Sequence, residues 1–158
     1  MHTLFDRSLM GIFVFVYGTL KRGFPNNHCL SGAEFVGNAL TIEKYPLVIA
    51  SRCNIPYLLG AKSQGHRVAG EVFKVTESQL QTLDFLEGYP DYYNRIELDV
   101  SVNSDTMLCY TYVLDRFKNC LLELPMQENY SYDDSMRYVR PADRPEGYVD
   151  HRGDVMDC

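Results

Sequence analysis

The stretch from residue 95 to residue 102, RIELDVSV, alternates strictly between polar and apolar side chains, and it restricts the fold more than any other pattern. Such alternation predicts a strand with one face against the core and one face in water, as is typical of antiparallel sheets. Residues 103–105, NSD, favour a turn, and the mainly apolar stretch 107–114 predicts the returning strand of a hairpin. The chain is therefore expected to consist mainly of antiparallel strands.

Other short apolar stretches predict the remaining strands, and one longer segment predicts the main helix. The further strands are expected at Ile12–Val16, 35–42, Leu47–Ala50, 55–59 and 68–75. Ile12–Val16 is apolar at every position, which favours a strand that is buried on both faces. Thr76 and Gln79 form the sequence pattern of a capping box, so the helix is predicted to begin there and to end at Gly88. Short helices are expected near 28–30 and 115–121.

The length of 158 residues suits one domain with a core of its own. We expect a single α+β domain of mostly antiparallel strands in a sheet or small barrel, with its core at about 12–122. Periodicity is lost in the acidic tail 123–158. We expect this tail to be irregular, to be held on the surface by Tyr130, Tyr132 and Tyr138, and to be mobile in its last dozen residues.

Charge and cysteine content narrow the classes of partner and compartment. The net charge is −6, and the tail 123–158 carries nine acidic residues against four arginines. This balance argues against a general nucleic-acid-binding protein. No stretch approaches the ~20 apolar residues of a membrane span, so we expect no membrane insertion. Five cysteines without a C-x-x-C pattern predict reduced thiols and a cytoplasmic location, and no pair of histidines has metal-ligand spacing.

Glu87 is a candidate general base because of its position on the predicted helix. It follows Leu83 by four residues and Leu80 by seven, so it shares their apolar face. Burial and the negative end of the helix dipole both disfavour the ionised carboxylate and raise its pKa. A carboxyl that titrates near neutral pH suits a group that accepts a proton and then returns it. The alternative is a helix-terminal glutamate whose side chain bends out to water.

Tyr17, Gly18, Thr19 and Leu20, here called the 17–20 loop, follow the buried strand Ile12–Val16. Backbone amides lose their partners where a strand ends, and if the chain turns at Gly18, several of them converge on one point. Converging amides hold an anion, or a carbonyl oxygen that becomes one during a reaction. The alternative is an ordinary tight turn whose amides meet water.

Two pairs of residues carry weaker signals. Lys21 and Arg22 either draw in a carboxylate substrate or form a solvated face. Tyr110 and Tyr112 point to the same side of their strand, where they either pack in the core or line a pocket. We take Tyr112 as a candidate substrate-binding residue.

Several short motifs together resemble the gamma-glutamyl cyclotransferase-like family, which also includes plant avirulence-induced-type proteins. The motifs are FVYGTLKRG at 15–23, YPLVIA at 45–50, NIP at 54–56, GEV at 70–72 and LDFLEG at 83–88. The match runs in order from about residue 13 to residue 113, and it resumes at 131–133 and 137–138. The motifs at 15–23 and 83–88 lie far apart in the sequence, and the shorter motifs between them also match. The resemblance is therefore specific.

The resemblance implies a small mixed barrel with flanking helices and an enzyme that needs no metal or cofactor. Family members act on gamma-glutamyl amides of free amines, for example gamma-glutamyl-epsilon-lysine, and release 5-oxoproline and the amine. The family's glutamyl-binding loop falls on the 17–20 loop, which binds mainly through its backbone, and its catalytic glutamate falls on Glu87. We therefore expect a monomer whose partner is a small gamma-glutamyl amine.

This sequence departs from the family pattern at Tyr89 and Pro90 and at the following DYY (91–93), which are expected to reshape the rim of the pocket. The N-terminal residues 1–11 lie outside the resemblance. Two other functions stay open: a related cyclotransferase with another leaving amine, and a non-catalytic binding or regulatory protein on the same fold.

Overall fold

Seven strands lie in the part of the chain that the structure describes. The structure is a computed structural model and describes residues 11–144 and 151–156. The strands are β1 (Ile12–Val16), β2 (Glu34–Tyr45), β3 (Leu47–Ala50), β4 (Ile55–Leu58), β5 (His66–Val75), β6 (Asn94–Val102) and β7 (Asp105–Val113). The α-helices are α1 (Glu77–Glu87) and α2 (Tyr132–Ser135), with short 3-10 helices at Asn27–Leu30, Asn119–Glu123, Pro141–Asp143 and His151–Asp154.

Five of the strands form a closed barrel in the order β1-β5-β2-β6-β7. All neighbours in this order pair antiparallel, and the barrel closes where β7 meets β1 in parallel, with Val14 opposite Tyr110. Closure removes the exposed strand edges that an open sheet would leave. The predicted α+β class with a small, mixed and mostly antiparallel barrel is therefore confirmed.

The strands β3 and β4 form a separate two-stranded sheet beside the barrel. They pair antiparallel from Leu47 opposite Leu58 to Ala50 opposite Ile55. The sheet is joined to the barrel where Leu59 bridges Leu114 in parallel. Pro56 lies within β4, and this position brings it next to the end of β1, as described below.

The strand β1 is buried on both faces, as its apolar sequence predicts. Phe15 packs in the cluster formed by the barrel strands, whereas Val14 and Val16 pack in a second cluster that also contains Leu80 and Leu83 of α1. The alternation of side chains along a strand therefore places β1 between the barrel interior and the helix. Its C-terminal end is held from both sides.

The helix α1 begins and ends where the sequence predicts. The Thr76 hydroxyl accepts from the Gln79 amide at 3.1 Å, and the Gln79 side chain accepts from the Thr76 amide at 2.8 Å, which completes the capping box. Gly88 ends the helix with φ of 67°, a left-handed conformation that glycine adopts without strain. Leu80 and Leu83 are buried, whereas Leu86 is 49% exposed.

The β6–β7 hairpin confirms the alternating pattern. It turns at Asn103 and Ser104, whose φ values of 50° and 70° match the two-residue hairpin turns that follow strand twist. Elsewhere the boundaries differ: β2 runs to Tyr45, beyond the predicted end at residue 42, and the short helix predicted near 115–121 lies at Asn119–Glu123.

The tail is anchored more firmly than the sequence suggests. Tyr130 is fully buried, but the expectation for Tyr132 is wrong, since its side chain is 64% exposed. Within the predicted mobile dozen, Val155 is fully buried, and its carbonyl accepts from the Lys118 amide at 2.7 Å. Residues 147–150, 157 and 158 of that dozen lie outside the described residues.

None of the helices in residues 11–144 and 151–156 is long and apolar enough to cross a membrane. The four cysteines in the same ranges, at positions 29, 53, 109 and 120, are free thiols.

Leu83 tests how much α1 contributes to stability. We expect Leu83→Ala to lower the free energy of unfolding by roughly 2–5 kcal/mol, because the fully buried side chain leaves a cavity between helix and barrel. Phe85→Ala on the exposed face of the same helix is the control, with a change within about 0.5 kcal/mol. Equal losses in urea denaturation would contradict this packing.

Candidate active site

A cavity of about 210 Å³ opens at the end of β1. The 17–20 loop, Glu87 and Tyr112 all line it, although they are far apart in the sequence. The remaining lining residues are Phe15, Val16, Asn26, Ile55, Pro56, Leu86, Tyr92, Tyr93, Tyr138, Pro141, Arg144 and Arg152. The residues proposed from the sequence as catalytic and substrate-binding are thus brought together at one place.

The backbone of the 17–20 loop is fixed through its carbonyl groups. The Gly18 carbonyl accepts from the Lys21 amide at 3.1 Å, and the Thr19 carbonyl accepts from the Asn26 amide at 2.8 Å. The Leu20 carbonyl accepts from the Asn27 side chain at 2.9 Å. Within the described residues, the amides of Gly18, Thr19 and Leu20 donate no hydrogen bond to another protein group.

Backbone amides in proteins are almost always hydrogen-bonded to protein, ligand or water. The amides of the 17–20 loop are therefore available to a ligand or water, while the carbonyl groups that would repel an anion are engaged elsewhere. Peptide dipoles arranged in this way favour negative charge.

Gly18 is required for the close approach of two segments. A Cβ at this position would lie 2.7 Å from Cγ of Pro56 and 3.3 Å from its Cβ, which is closer than side chains normally pack. Its φ is not in the left-handed region, so its backbone conformation alone does not require glycine. The loop is thus pressed against the β3–β4 hairpin.

Glu87 reaches the cavity from the last turn of α1. It lies on the face of Leu80 and Leu83 and is partly buried rather than bent out into water. Burial raises the pKa of its carboxyl from the ordinary 4.5 to about 7. No hydrogen bond or ion pair to this carboxyl is formed within the described residues. Such a group changes its charge near neutral pH and is accessible to a ligand.

Tyrosine rings form much of the cavity wall. Tyr17, Tyr93 and Tyr112 are buried, and burial raises the pKa of each hydroxyl, with the negative charge of Glu87 raising it further. Tyr92 and Tyr93 were expected at the rim, but only about 6% of each is exposed, so they belong to the wall. The hydroxyl groups of these tyrosines stay protonated at neutral pH and act as hydrogen-bond donors.

Tyr112 is held in place by an acidic residue of α1. Its hydroxyl donates to Oδ1 of Asp84 at 2.7 Å, and the guanidinium of Arg95 pairs with Oδ2 of the same carboxylate. Arg95 in turn lies over the rings of Tyr89 and Tyr110, at 4.7 and 4.8 Å from their centroids. Asp84 thus links the helix, β6 and β7 immediately below the cavity.

Sequence reasoning missed several lining residues. The Asn26 side chain donates to the Thr19 hydroxyl at 2.9 Å and to the Tyr138 hydroxyl at 3.2 Å, so it ties the tail to the loop. Arg144 and Arg152 come from the acidic tail, where no periodicity marks them. The only available signals were the turn residues at 25–27 and the resumed family motif at 137–138, and neither indicates a place in the site.

Lys21 and Arg22 do not line the cavity. Lys21 is buried, and its ammonium donates to the Tyr130 carbonyl at 2.6 Å and to Oδ1 of Asn129 at 3.0 Å. Arg22 pairs with Glu71 at 3.3 Å. Lys21 therefore anchors the tail, a role that neither interpretation of the sequence included.

Neither the lining residues nor the rest of the described chain offers three grouped His, Cys, Asp or Glu side chains that would hold a metal ion. The arrangement provides one titratable carboxyl, a set of backbone donors and a wall of phenol groups. It is suited to proton transfer beside a developing negative charge on oxygen.

The raised pKa of Glu87 predicts how stability depends on pH. The folded protein retains a proton that the unfolded chain releases above pH 4.5, so the free energy of unfolding decreases as the pH rises from 4.5 through about 7. We expect Glu87→Gln to remove this dependence and to be more stable than the parent protein at pH 8, but not at pH 4. Chemical denaturation across this range measures the difference, with Glu77→Gln in the exposed first turn as control. A constant difference between parent and variant would contradict the burial of Glu87.

Known proteins of similar sequence and fold identify the family of this chain. The sequence model of the gamma-glutamyl cyclotransferase, AIG2-like family matches residues 14–132. The gamma-glutamylaminecyclotransferase of Rattus norvegicus is 41% identical over 130 residues, covering 74% of this chain and 87% of the rat protein. That of Bos taurus is 43% identical over 124 residues, covering 74% of each. The crystal structure of an AIG2-like protein from Mus musculus has a TM-score of 0.74 at 39% identity, covering 77% of this chain and 88% of that chain. The chain therefore belongs to the gamma-glutamyl cyclotransferase, AIG2-like family.

Proposed function

We propose that this protein is a gamma-glutamylamine cyclotransferase, which converts gamma-glutamyl amines such as gamma-glutamyl-epsilon-lysine to 5-oxoproline and a free amine. The relatives from Rattus norvegicus and Bos taurus carry this name. One observation carries the proposal: a carboxyl with a pKa of about 7 and a row of unengaged backbone amides line the same small cavity. No cofactor enters the mechanism.

The reaction is an intramolecular attack. The alpha-amine of the glutamyl group attacks its own gamma-carbonyl carbon, which closes a five-membered ring and expels the amine. Because nucleophile and carbonyl belong to one molecule, the protein has to hold the chain bent rather than bring two reactants together. A cavity of about 210 Å³ suits a group of amino-acid size.

Glu87 performs the proton transfers. Its carboxylate takes one proton from the alpha-ammonium, which frees the electron pair that forms the new C–N bond. The protonated carboxyl then donates to the leaving nitrogen as the old C–N bond breaks. The ionised carboxylate accepts the second proton that the ring nitrogen loses on becoming an amide, and it passes this proton to the released amine, which restores the carboxylate. A pKa near neutrality suits both directions of transfer.

The 17–20 loop binds the glutamyl group and the oxyanion. Negative charge develops on the gamma-carbonyl oxygen when the ring closes, and the amides of Gly18, Thr19 and Leu20 donate to it. Removing one such donor typically lowers the rate by about 10²–10³-fold, so fixed amides supply a large share of catalysis. Tyr112 lines the same wall, and because its hydroxyl proton is donated to Asp84, its hydroxyl oxygen accepts a hydrogen bond from the substrate.

Turnover of three substrates separates this function from the alternatives. We expect more 5-oxoproline from gamma-glutamyl-epsilon-lysine than from gamma-glutamyl-alanine or glutathione. A preference for one of the latter two would indicate a related cyclotransferase with another leaving amine. No 5-oxoproline from any of them would indicate a binding protein on this fold.

Glu87→Gln tests the assignment of the base. We expect kcat to fall by about 10²–10⁴-fold, because the amide keeps the shape of the side chain and cannot take a proton. Glu77→Gln on the same helix should retain full activity. Chromatographic detection of 5-oxoproline at the parental rate from Glu87→Gln would exclude Glu87 as the base.

The pH profile gives an independent test. Because the ionised carboxylate is the active form, kcat/KM should decrease as the pH falls through about 7, rather than through the ordinary 4.5 of a glutamate. The acidic limb is measured on the parent enzyme between pH 4 and pH 9. A midpoint near 4.5 would show that a solvated group controls the rate.

A further inference from the structure

The cavity has a buried end and an exposed end. Phe15, Val16, Tyr17, Tyr93 and Tyr112 are all buried and form the floor. Leu86, Pro141 and Arg152 are exposed, and Tyr138 and Arg144 are partly buried, so these five residues form the mouth. A substrate held at the floor by one end therefore extends its other end past the mouth.

Charge is distributed unevenly between these two ends. Among the lining residues, which all belong to the described chain, the formally charged side chains are Glu87, Arg144 and Arg152. Both cations come from the tail, at positions 144 and 152, and lie beyond the end of the family-model match at residue 132. The mouth thus carries two permanent positive charges in a tail that is acidic overall.

Each of the two arginines makes a contact within the described residues that holds its side chain at the mouth. Nε of Arg144 donates to the Val139 carbonyl at 3.3 Å, and the guanidinium of Arg152 lies 4.8 Å from the centroid of the Tyr92 ring. The segment carrying Arg152 is fixed by Asp154, whose carboxylate pairs with Arg52 at 3.1 Å. A guanidinium group has five donors in a plane, so it binds a carboxylate while keeping other contacts.

We propose that Arg144 and Arg152 form a carboxylate-recognition site that selects gamma-glutamyl amines whose leaving amine carries a carboxylate. This inference rests on the proposed function, because it takes the floor of the cavity as the place of the glutamyl group. With that end fixed between the 17–20 loop and Glu87, the amine portion is the part that reaches the mouth. The alpha-carboxylate of an epsilon-linked lysine is such a group.

Three substrates isolate the carboxylate of the leaving amine. Gamma-glutamylcadaverine is gamma-glutamyl-epsilon-lysine without the alpha-carboxylate, and the gamma-glutamyl amide of 6-aminohexanoate keeps the carboxylate but lacks the alpha-amine. We expect the parent enzyme to have a higher kcat/KM for both carboxylate-bearing substrates than for the cadaverine compound. Added salt should reduce the difference, because the mouth is exposed to solvent.

Arg144→Gln and Arg152→Gln test the site directly. For each variant we expect kcat/KM to fall about 10-fold with the two carboxylate-bearing substrates, the usual scale for a hydrogen bond to a charged group. Gamma-glutamylcadaverine should be turned over at the parental rate, and this also reports a folded, active enzyme. Arg152→Lys keeps the charge but loses the planar fork, so it should recover only part of the loss.

Arg140→Gln is the matched control, because Arg140 is an exposed arginine of the same tail that does not line the cavity. It should leave all three rates unchanged.

An equal loss with all three substrates in Arg144→Gln or Arg152→Gln would overturn the proposal, since the arginine would then serve the shared glutamyl part or the fold. No preference of the parent enzyme for carboxylate-bearing amines would overturn it as well. If the parent enzyme releases no 5-oxoproline from any of the three substrates, the result contradicts the proposed function. The inference about the arginines is then contradicted as well, because it rests on that function.

Discussion

The packing of α1 on the barrel places the acidic group of the cavity. Leu80 and Leu83 are buried in the same core cluster as Val14 and Val16, and each buried leucine contributes roughly 2 kcal/mol. Glu87 lies on the same face and is partly buried where it lines the cavity. The fold therefore holds a carboxyl in surroundings that raise its pKa to about 7. The free-energy cost of desolvating the Glu87 carboxyl is offset by the burial of Leu80 and Leu83.

The second constraint is the hydrogen bonding of the backbone where β1 ends. A buried strand that stops inside a protein must satisfy its remaining carbonyl and amide groups. Here the carbonyls of Gly18, Thr19 and Leu20 are satisfied by residues 21–27, which fold back under the loop. The amides of the same residues donate no hydrogen bond to another group of the described chain. Both constraints meet at one place because α1 packs on the barrel to which β1 belongs, so the barrel and its helix together form the cavity.

The parts of this structure that were predictable are those with local signals. The capping box of α1, the hairpin turn at residues 103 and 104, and the buried strand β1 each follow from the properties of neighbouring residues. The spacing of Glu87 placed it on the apolar face but left open whether it bends outward, because that depends on how the helix packs on the barrel. Lys21 could not be interpreted correctly, since its partners are the Tyr130 carbonyl and the Asn129 side chain, more than a hundred positions away. The resemblance to a family supplied the candidate base and loop but nothing about the mouth.

The tail shows why average charge is a poor guide to a local site. Residues 123–158 contain nine acidic residues and four arginines, which by composition suggests a surface that repels anions. Yet Arg144 and Arg152 line the cavity, whereas Asp154 is turned to Arg52. Salt screens the interaction between exposed charges that lie more than a Debye length apart, about 8–10 Å in physiological salt. A ligand at the mouth therefore responds mainly to the groups that line it. The family match at 14–132 covers the loop, Glu87 and Tyr112, while the charged mouth lies beyond it. Under the proposed roles, the groups that carry the chemistry and the groups that select the leaving amine therefore lie in different parts of the chain.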